Sequence, residues 1–325
     1  MKISKKKTLI IAEIGNNHEG DFSVAKKLIL SAAKAKVDAV KFQIFKTENF
    51  VSINDKKRFK KLKNFQLSFI QFKKLKDLAK KKKLLFIATP LDLESANFVI
   101  KYCDIVKIAS GDNDFFELIR KIIKSKKKLI ISTGASNFGI ISDLVKYIKR
   151  YKATNHTSLL HCVSSYPVND SDANLQSIKY LKDKTKLKIG YSDHTIGYEA
   201  CLAAVAIGAE IIEKHFTIDK NYSRFRDHKL SADLKEMKKI VQGIRRIDNM
   251  KGKYSKIINK DENKNFNLMR RSLYAKKNIK AGEKFTLLNT NFLRPRKKLS
   301  EINRKFFFST VSKKSIIKDK IIKNN

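Results

Sequence analysis

Residues 188–215, KIGYSDHTIGYEACLAAVAIGAEIIEKH, decide the fold. The two ends, Lys188–Ser192 and Glu210–His215, are short apolar runs, and the middle, Tyr198–Ile207, is a longer stretch of helix formers. A strand, a crossover helix and a second strand form a βαβ unit, which joins parallel strands. Both runs end on polar residues, Ser192 with His194 and Glu213 with His215, for which a buried strand has no packing use.

The same unit recurs toward the N-terminus. Further strands are predicted at Leu9–Glu13, Ala39–Gln43, Leu84–Ala88, Ile105–Ile108, Leu129–Ser132 and Ser158–His161. Helical segments alternate with them at Ser23–Lys36, Gln66–Lys82, Leu93–Lys101, Phe116–Ser125, Ile140–Tyr151 and Leu175–Lys182, and a last one follows at Leu234–Asn249. With the opening pair this makes eight strands, the number that closes a parallel barrel. The fold class is α/β, a (β/α)₈ TIM barrel over residues 1–249. An open doubly wound sheet is the rival, but it favours a glycine-rich phosphate loop, and the chain has no GxGxxG or Walker pattern.

Residues 250–268 are polar and Lys/Asn-rich and read as a linker. Residues 269–325 form a second, smaller unit in which short apolar runs flank a turn at Ala281–Gly282. Its core is thin, so it is expected to lean on something larger.

The formal charge of +41 suggests a nucleic acid or an anionic membrane as partner. Its distribution argues otherwise. Lysine outnumbers arginine about fivefold and is spread along the chain, as compositional drift on solvated faces would leave it. Cys103, Cys162 and Cys201 are odd in number and far apart, which excludes a disulfide framework and a zinc knuckle and fits a reducing cytoplasm. The basic start, Met1–Lys7, is followed by a segment too short for a signal sequence, and no run is long enough to span a membrane. A cytoplasmic protein is expected, with neither nucleic acid nor membrane as partner.

In a barrel of this kind the site lies at the C-terminal strand ends. In chain order those ends carry Glu13, Lys41 with Gln43, Thr89, Lys107, Ser132, His161, Ser192 with His194, and Glu213 with His215. Lys41 and Lys107 each sit near the end of a buried run. Each therefore needs a carboxylate partner or a bound anion, because an unpaired buried ammonium is costly. Two such lysines with Thr89, Ser132 and Ser192 suit a phosphate better than a Schiff base, which wants one lysine. His194 and His215, on adjacent strand ends, can hold a divalent cation with open positions. Glu13, Asn16, Asn17 and His18 follow the first strand and could orient a water or a sugar hydroxyl; His161 and Tyr166 could line a sugar site, or Tyr166 could merely pack beside Pro167.

As a set these residues resemble the sialic acid synthase family. The resemblance is carried in order by AEIGNNHEGD (12–21), AVKFQIFK (39–46), FIATPLDLES (86–95), VKIASGD (106–112), ISTGAS (131–136), LLHCVSSYP (159–167), residues 189–220, DHKLS (227–231) and RRSLYAKKNIKAGE with FLRP (270–283, 292–295). It implies condensation of phosphoenolpyruvate with N-acetylmannosamine to give N-acetylneuraminate and phosphate. Related acceptors lead to legionaminic or pseudaminic acid, or to a 9-phosphate. By resemblance Lys41, Thr89, Lys107, Ser110, Ser132 and Ser192 hold phosphoenolpyruvate. His194 and His215 would bind Mn²⁺, with Mg²⁺ or Co²⁺ as alternatives, and Glu13 would act on a water. Asp112, Tyr166, Asp227 and Arg294 would meet the sugar. The C-terminal unit is similar to the mainly-β SAF (antifreeze-like) domain, with Arg294 reaching the partner's barrel in a domain-swapped homodimer. The chain departs from the pattern at Asp112, where many N-acetylneuraminate-forming members have Glu, and at Ser165, Phe225-Arg226 and Arg296. A basic, non-catalytic nucleic-acid-binding barrel is the reading from a different class.

Overall fold

The computed structural model describes residues 7–295 and 310–323; Met1–Lys6 and Arg296 of the sequence reading lie outside them. Eight parallel strands close into one barrel in chain order. They are β1 (Leu9–Gly15), β2 (Ala39–Ile44), β3 (Leu85–Pro90), β4 (Ile105–Ile108), β5 (Lys128–Ser132), β6 (Thr157–Cys162), β7 (Lys188–Asp193) and β8 (Ile211–His215). The helices between them are α1 (Phe22–Ala35), α2 (Thr47–Phe50), α3 (Lys56–Phe65), α4 (Phe69–Lys81), α5 (Leu93–Tyr102), α6 (Phe116–Lys124), α7 (Phe138–Arg150), α8 (Gln176–Thr185) and α9 (Glu199–Ala206). After β8 come α10 (Asp227–Leu230) and α11 (Leu234–Met250).

Strand alternation builds two layers. Residues i and i+2 share a face, so one set of side chains points into the barrel and the other toward the helices. The inward set begins with an apolar plug of Leu9, Ile11, Ala39, Ile87, Ile105, Ile130, Leu160 and Ile211. The outward set, including Ile10, Val40, Phe42, Phe86, Val106, Ile131, Leu159 and Ile212, meets the buried helix faces in the main core. Gly190 takes an inward position in β7 because a Cβ there would lie 2.5 Å from the Ile211 carbonyl and 2.5 Å from Leu160 Cδ2.

Helix starts follow the side chains that cap them. Asp21, Asp55, Asp92, Asn137 and Asp233 each accept a backbone N–H of the first turn. Ser68 and Gln71 form a reciprocal capping box, which is why α4 begins at Phe69 rather than at Gln66. α3 was not expected: its apolar row is short, Phe59, Leu62 and Phe65 among lysines, and only Phe65 is fully buried.

The chain divides into two compact units, 1–252 and 253–325. The second contains α12 (Lys260–Met269), all but its last residue in the 250–268 stretch read as linker. Its Asn259–Glu262 capping box supplies the nucleus that its polar, wholly unburied sequence does not announce. β9 (Ser272–Ala275) and β10 (Thr290–Leu293) pair antiparallel over a small core of Leu273, Ala275, Ile279, Phe285, Ile316 and Ile322. Among the described residues no helix is long and apolar enough to cross a membrane.

Candidate active site

The polar layer sits one alternation step beyond the apolar plug. Moving two residues along each strand turns Ile11 into Glu13, Ala39 into Lys41, Ile87 into Thr89, Ile105 into Lys107, Ile130 into Ser132, Leu160 into Cys162, Gly190 into Ser192 and Ile211 into Glu213. All eight are buried. Every strand thus delivers one side chain to a single floor at the C-terminal end of the barrel.

Two ammonium groups and two carboxylates share that floor. Lys41 Nζ lies 2.9 Å from Glu13 Oε1 and 3.5 Å from Glu213 Oε1, and it donates to Thr89 Oγ1 at 3.4 Å. Among the described residues Lys107 has no such carboxylate; its ammonium donates to the Ile108 carbonyl at 2.9 Å and to Ser132 Oγ at 2.5 Å. The two lysines therefore respond oppositely to burial. Desolvation pushes Lys107 down, with Glu213 opposing at a distance. In Lys41 desolvation is outweighed by Glu13 and Glu213, and the group is raised. The carboxylates divide as well. Burial, the largest influence, raises Glu13 to about 7 despite Lys41. Glu213 is lowered, because Lys107, Lys41 and the Ser192 hydroxyl at 3.0 Å together overcome its desolvation. Glu13 Oε2 and Glu213 Oε2 are buried with no hydrogen-bond partner.

Ser110 follows β4 in a short 3₁₀ turn, Ser110–Asp112, and its hydroxyl accepts the Gly134 N–H at 3.0 Å. Asp112 ends that turn, raised to about 6 by partial burial and by neighbouring Asp114.

Above the floor stand the imidazoles. Glu13 is paired in register with both Lys41 and His215, which places His215 where β8 meets β1. The His194 and His215 ring centroids are 5.3 Å apart, and the Tyr166 ring lies 4.2 Å from the first and 6.0 Å from the second. His194 Nδ1 donates to the Val163 carbonyl at 2.7 Å, which leaves Nε2 as its free lone pair. Burial works to lower His194, but the Cys162 sulfur, 3.8 Å from Nδ1, holds it up. His215 is driven well below the usual imidazole range by burial and by His194; its Nδ1 is buried without a partner. Two neutral-capable imidazoles, one with an orphaned nitrogen, suit a divalent cation. Among the described residues no three His, Cys, Asp or Glu side chains converge as a preformed ligand set. The protein would then supply two ligands and leave the remaining positions to substrate and water.

Asp227 opens α10, with its Oδ1 3.4 Å from Arg226 Nε, and the Arg226 guanidinium lies 4.7 Å over the Tyr166 ring. Tyr166 and Asp227 are thereby linked through a residue the sequence reading noted only as a departure. Arg294 follows β10 in the second unit and is exposed there. His161 points away from the floor: it stacks on Tyr191 at 5.6 Å and donates to the Ala173 carbonyl at 2.9 Å, and it lines a cavity together with Cys162, Ser164 and Ser165. Asn17 ties the β1 loop to the β8 loop through the Phe216 carbonyl and Ser231, and Asn16 donates to Gln43 at 2.8 Å. Glu213, a strand end to which the sequence assigns no role, and Cys162, which it does not place at the site, both belong to the floor; the two-residue step from the apolar plug is the pattern that points to Cys162.

A family model described as the NeuB family matches residues 28–256. N,N'-diacetyllegionaminic acid synthase of Campylobacter jejuni is 40% identical over 98% of this chain and 99% of its own length. Pseudaminic acid synthase of the same species is 34% identical over 89% and 88%. The crystal structure of N-acetylneuraminic acid synthetase from Leptospira borgpetersenii, in complex with citrate, superposes with a TM-score of 0.77 at 37% identity, covering 82% of this chain and 94% of that one.

Proposed function

Taking as premise that this chain belongs to the NeuB family, we propose that it joins phosphoenolpyruvate to an N-acetylated amino sugar, releasing phosphate and forming a sialic-acid-type nine-carbon acid. The observation that carries this reading is Lys107, a buried ammonium with hydroxyl and carbonyl partners but no carboxylate. It stands beside Ser132 and within the same floor as Lys41 and Thr89, an arrangement that a phosphate completes.

In this proposal Lys41, Thr89, Lys107, Ser110, Ser132 and Ser192 hold phosphoenolpyruvate on the floor. C3 of the enol attacks the sugar aldehyde, water adds at C2, and phosphate leaves by C–O cleavage. Glu13, with its proton affinity lifted to about 7 and Oε2 uncommitted, takes a proton from that water and is able to return it. His194 and His215 are the residues that would hold Mn²⁺, or Mg²⁺ or Co²⁺ in its place. Such a cation supplies Lewis acidity toward the sugar carbonyl. Tyr166, Asp112 and Asp227 orient the acceptor.

N-acetylmannosamine and its diacetamido counterparts are the candidate acceptors. The shorter carboxylate of Asp112 and the full-length similarity to a diacetyllegionaminic acid synthase favour a diacetamido sugar. The second unit serves as a SAF-type domain in a homodimer, in a cytoplasmic enzyme. The test is phosphate release from phosphoenolpyruvate with Mn²⁺ and a panel of acceptors, phosphorylated and not, run in ¹⁸O-labelled water. The label should enter the sugar acid and not the phosphate. No release with any acceptor would favour the non-catalytic nucleic-acid-binding barrel.

A further inference from the structure

The polar residues at the ends of β7 and β8 do not all face the mouth. Asp193 and Lys214 are the outward neighbours of His194 and His215, and they lie opposite each other in the strand register. Their side chains are 0% and 1% exposed, and Lys214 Nζ is 2.7 Å from Asp193 Oδ2. The rest of the network closes on one turn. Asp193 Oδ1 accepts from the Thr195 N–H at 2.9 Å, the Thr195 hydroxyl at 2.9 Å and the Tyr191 hydroxyl at 3.1 Å. The Cys201 thiol reaches Oδ2 at 3.2 Å, and Lys214 also donates to the Thr195 carbonyl at 2.5 Å.

Thr195 is thus gripped at its N–H, its hydroxyl and its carbonyl, while its neighbour His194 has its own carbonyl bound by the Val168 N–H at 3.0 Å. A buried ion pair adds little net stability over an apolar pair of the same shape. What this one does is fix geometry: it fastens the turn carrying His194 to the strand carrying His215. Resting on the reading of these histidines as cation ligands, we propose that Asp193 and Lys214 are positioning residues that set the separation and orientation of the two imidazoles.

The test uses the full-length double variant Asp193→Asn/Lys214→Met, which removes both charges together. It should bind phosphoenolpyruvate as the parent does, by equilibrium dialysis. Its affinity for Mn²⁺ alone, by electron paramagnetic resonance titration, should fall about ten- to a hundredfold, the range for residues that orient metal ligands. A core variant of equal thermal loss, Ile122→Val with further trimming as required, should keep parental Mn²⁺ affinity. Parental Mn²⁺ affinity in the double variant overturns the proposal. If the double variant does not fold, Thr195→Val deletes one donor to Asp193 with the charges still paired; it should lose several-fold in Mn²⁺ affinity, and parental affinity there overturns the proposal equally. If the parent itself binds no Mn²⁺, the cation reading fails and positioning is judged separately. Shifted, broadened imidazole ¹⁵N resonances of His194 and His215 in the cation-free variant then support it, and unchanged ones overturn it.

Discussion

Lys41 and Lys107 look alike in the sequence, and the structure separates them. Lys41 neutralises Glu13 and Glu213, so Lys41→Met strands two buried carboxylates and should cost about 3 kcal/mol of stability. Lys107→Met removes an ammonium that no carboxylate contacts and that supports Glu213 only at a distance, so it should lower the thermal midpoint less than Lys41→Met does. The same change should weaken phosphoenolpyruvate binding by about 2 kcal/mol, roughly thirtyfold. Calorimetry on both variants checks the order; a larger thermal loss in Lys107→Met would contradict it. A second residue-scale expectation concerns His18, whose Nδ1 accepts the Gly20 N–H at 3.1 Å and whose Nε2 is buried without a partner. Burial lowers it from 6.5 to about 4. A base whose proton affinity falls on folding favours the folded state fully above pH 6.5, and this contribution is lost as pH drops from 6.5 through 4. The loss amounts to about 3 kcal/mol. His18→Leu should flatten that part of the stability-against-pH curve, measured by urea unfolding; an unchanged acid limb would refute the assignment.

At the scale of elements, Gly190 shows how tightly β7 is seated between its neighbours. Gly190→Ala forces a methyl against the Ile211 carbonyl, a backbone atom that cannot rotate away, and should destabilise the barrel by about 1–3 kcal/mol. Leu160→Ala in the same chain should not restore the thermal midpoint, since the carbonyl remains; full recovery would place the clash elsewhere. The eight strands were legible in the sequence because each is a short apolar run with a polar residue at or next to its end, and most of the helices around them because each has an apolar stripe. What escaped were elements with a short stripe or none: α3, held by Leu62 and Phe65, and α12, started by a cap. In the site, residue types at strand ends were readable, but the facing of His161 was not, since a one-residue change in where the strand ends moves a side chain to the other side of the sheet. The partners of Lys41 were equally hidden, because strands β1, β2 and β8 meet only when the ring closes.

For the whole molecule, the open question that experiment answers is what the second unit does for the first. Its core of a few apolar residues is small, and Arg294 stands exposed just past β10. A guanidinium is a fixed fork suited to sugar hydroxyl or acyl oxygens. Arg294→Ala should therefore raise KM for the acceptor while leaving that for phosphoenolpyruvate unchanged. Mixing His215→Ala with Arg294→Ala should give heterodimers with about one working site in two if the arginine serves a partner's barrel, as in a shared-site dimer; no recovery after verified subunit exchange would assign it to its own chain or to no site. The closed ring itself has a consequence in time. Glu13 is among the first residues of the barrel to be synthesised, and its register partner His215 ends the last strand. A chain still on the ribosome and lacking β8 has Lys41 with only one of its two carboxylates and a single imidazole above them. The floor and its pair of imidazoles are thus assembled only once β8 has been made, and no nascent chain lacking β8 contains them.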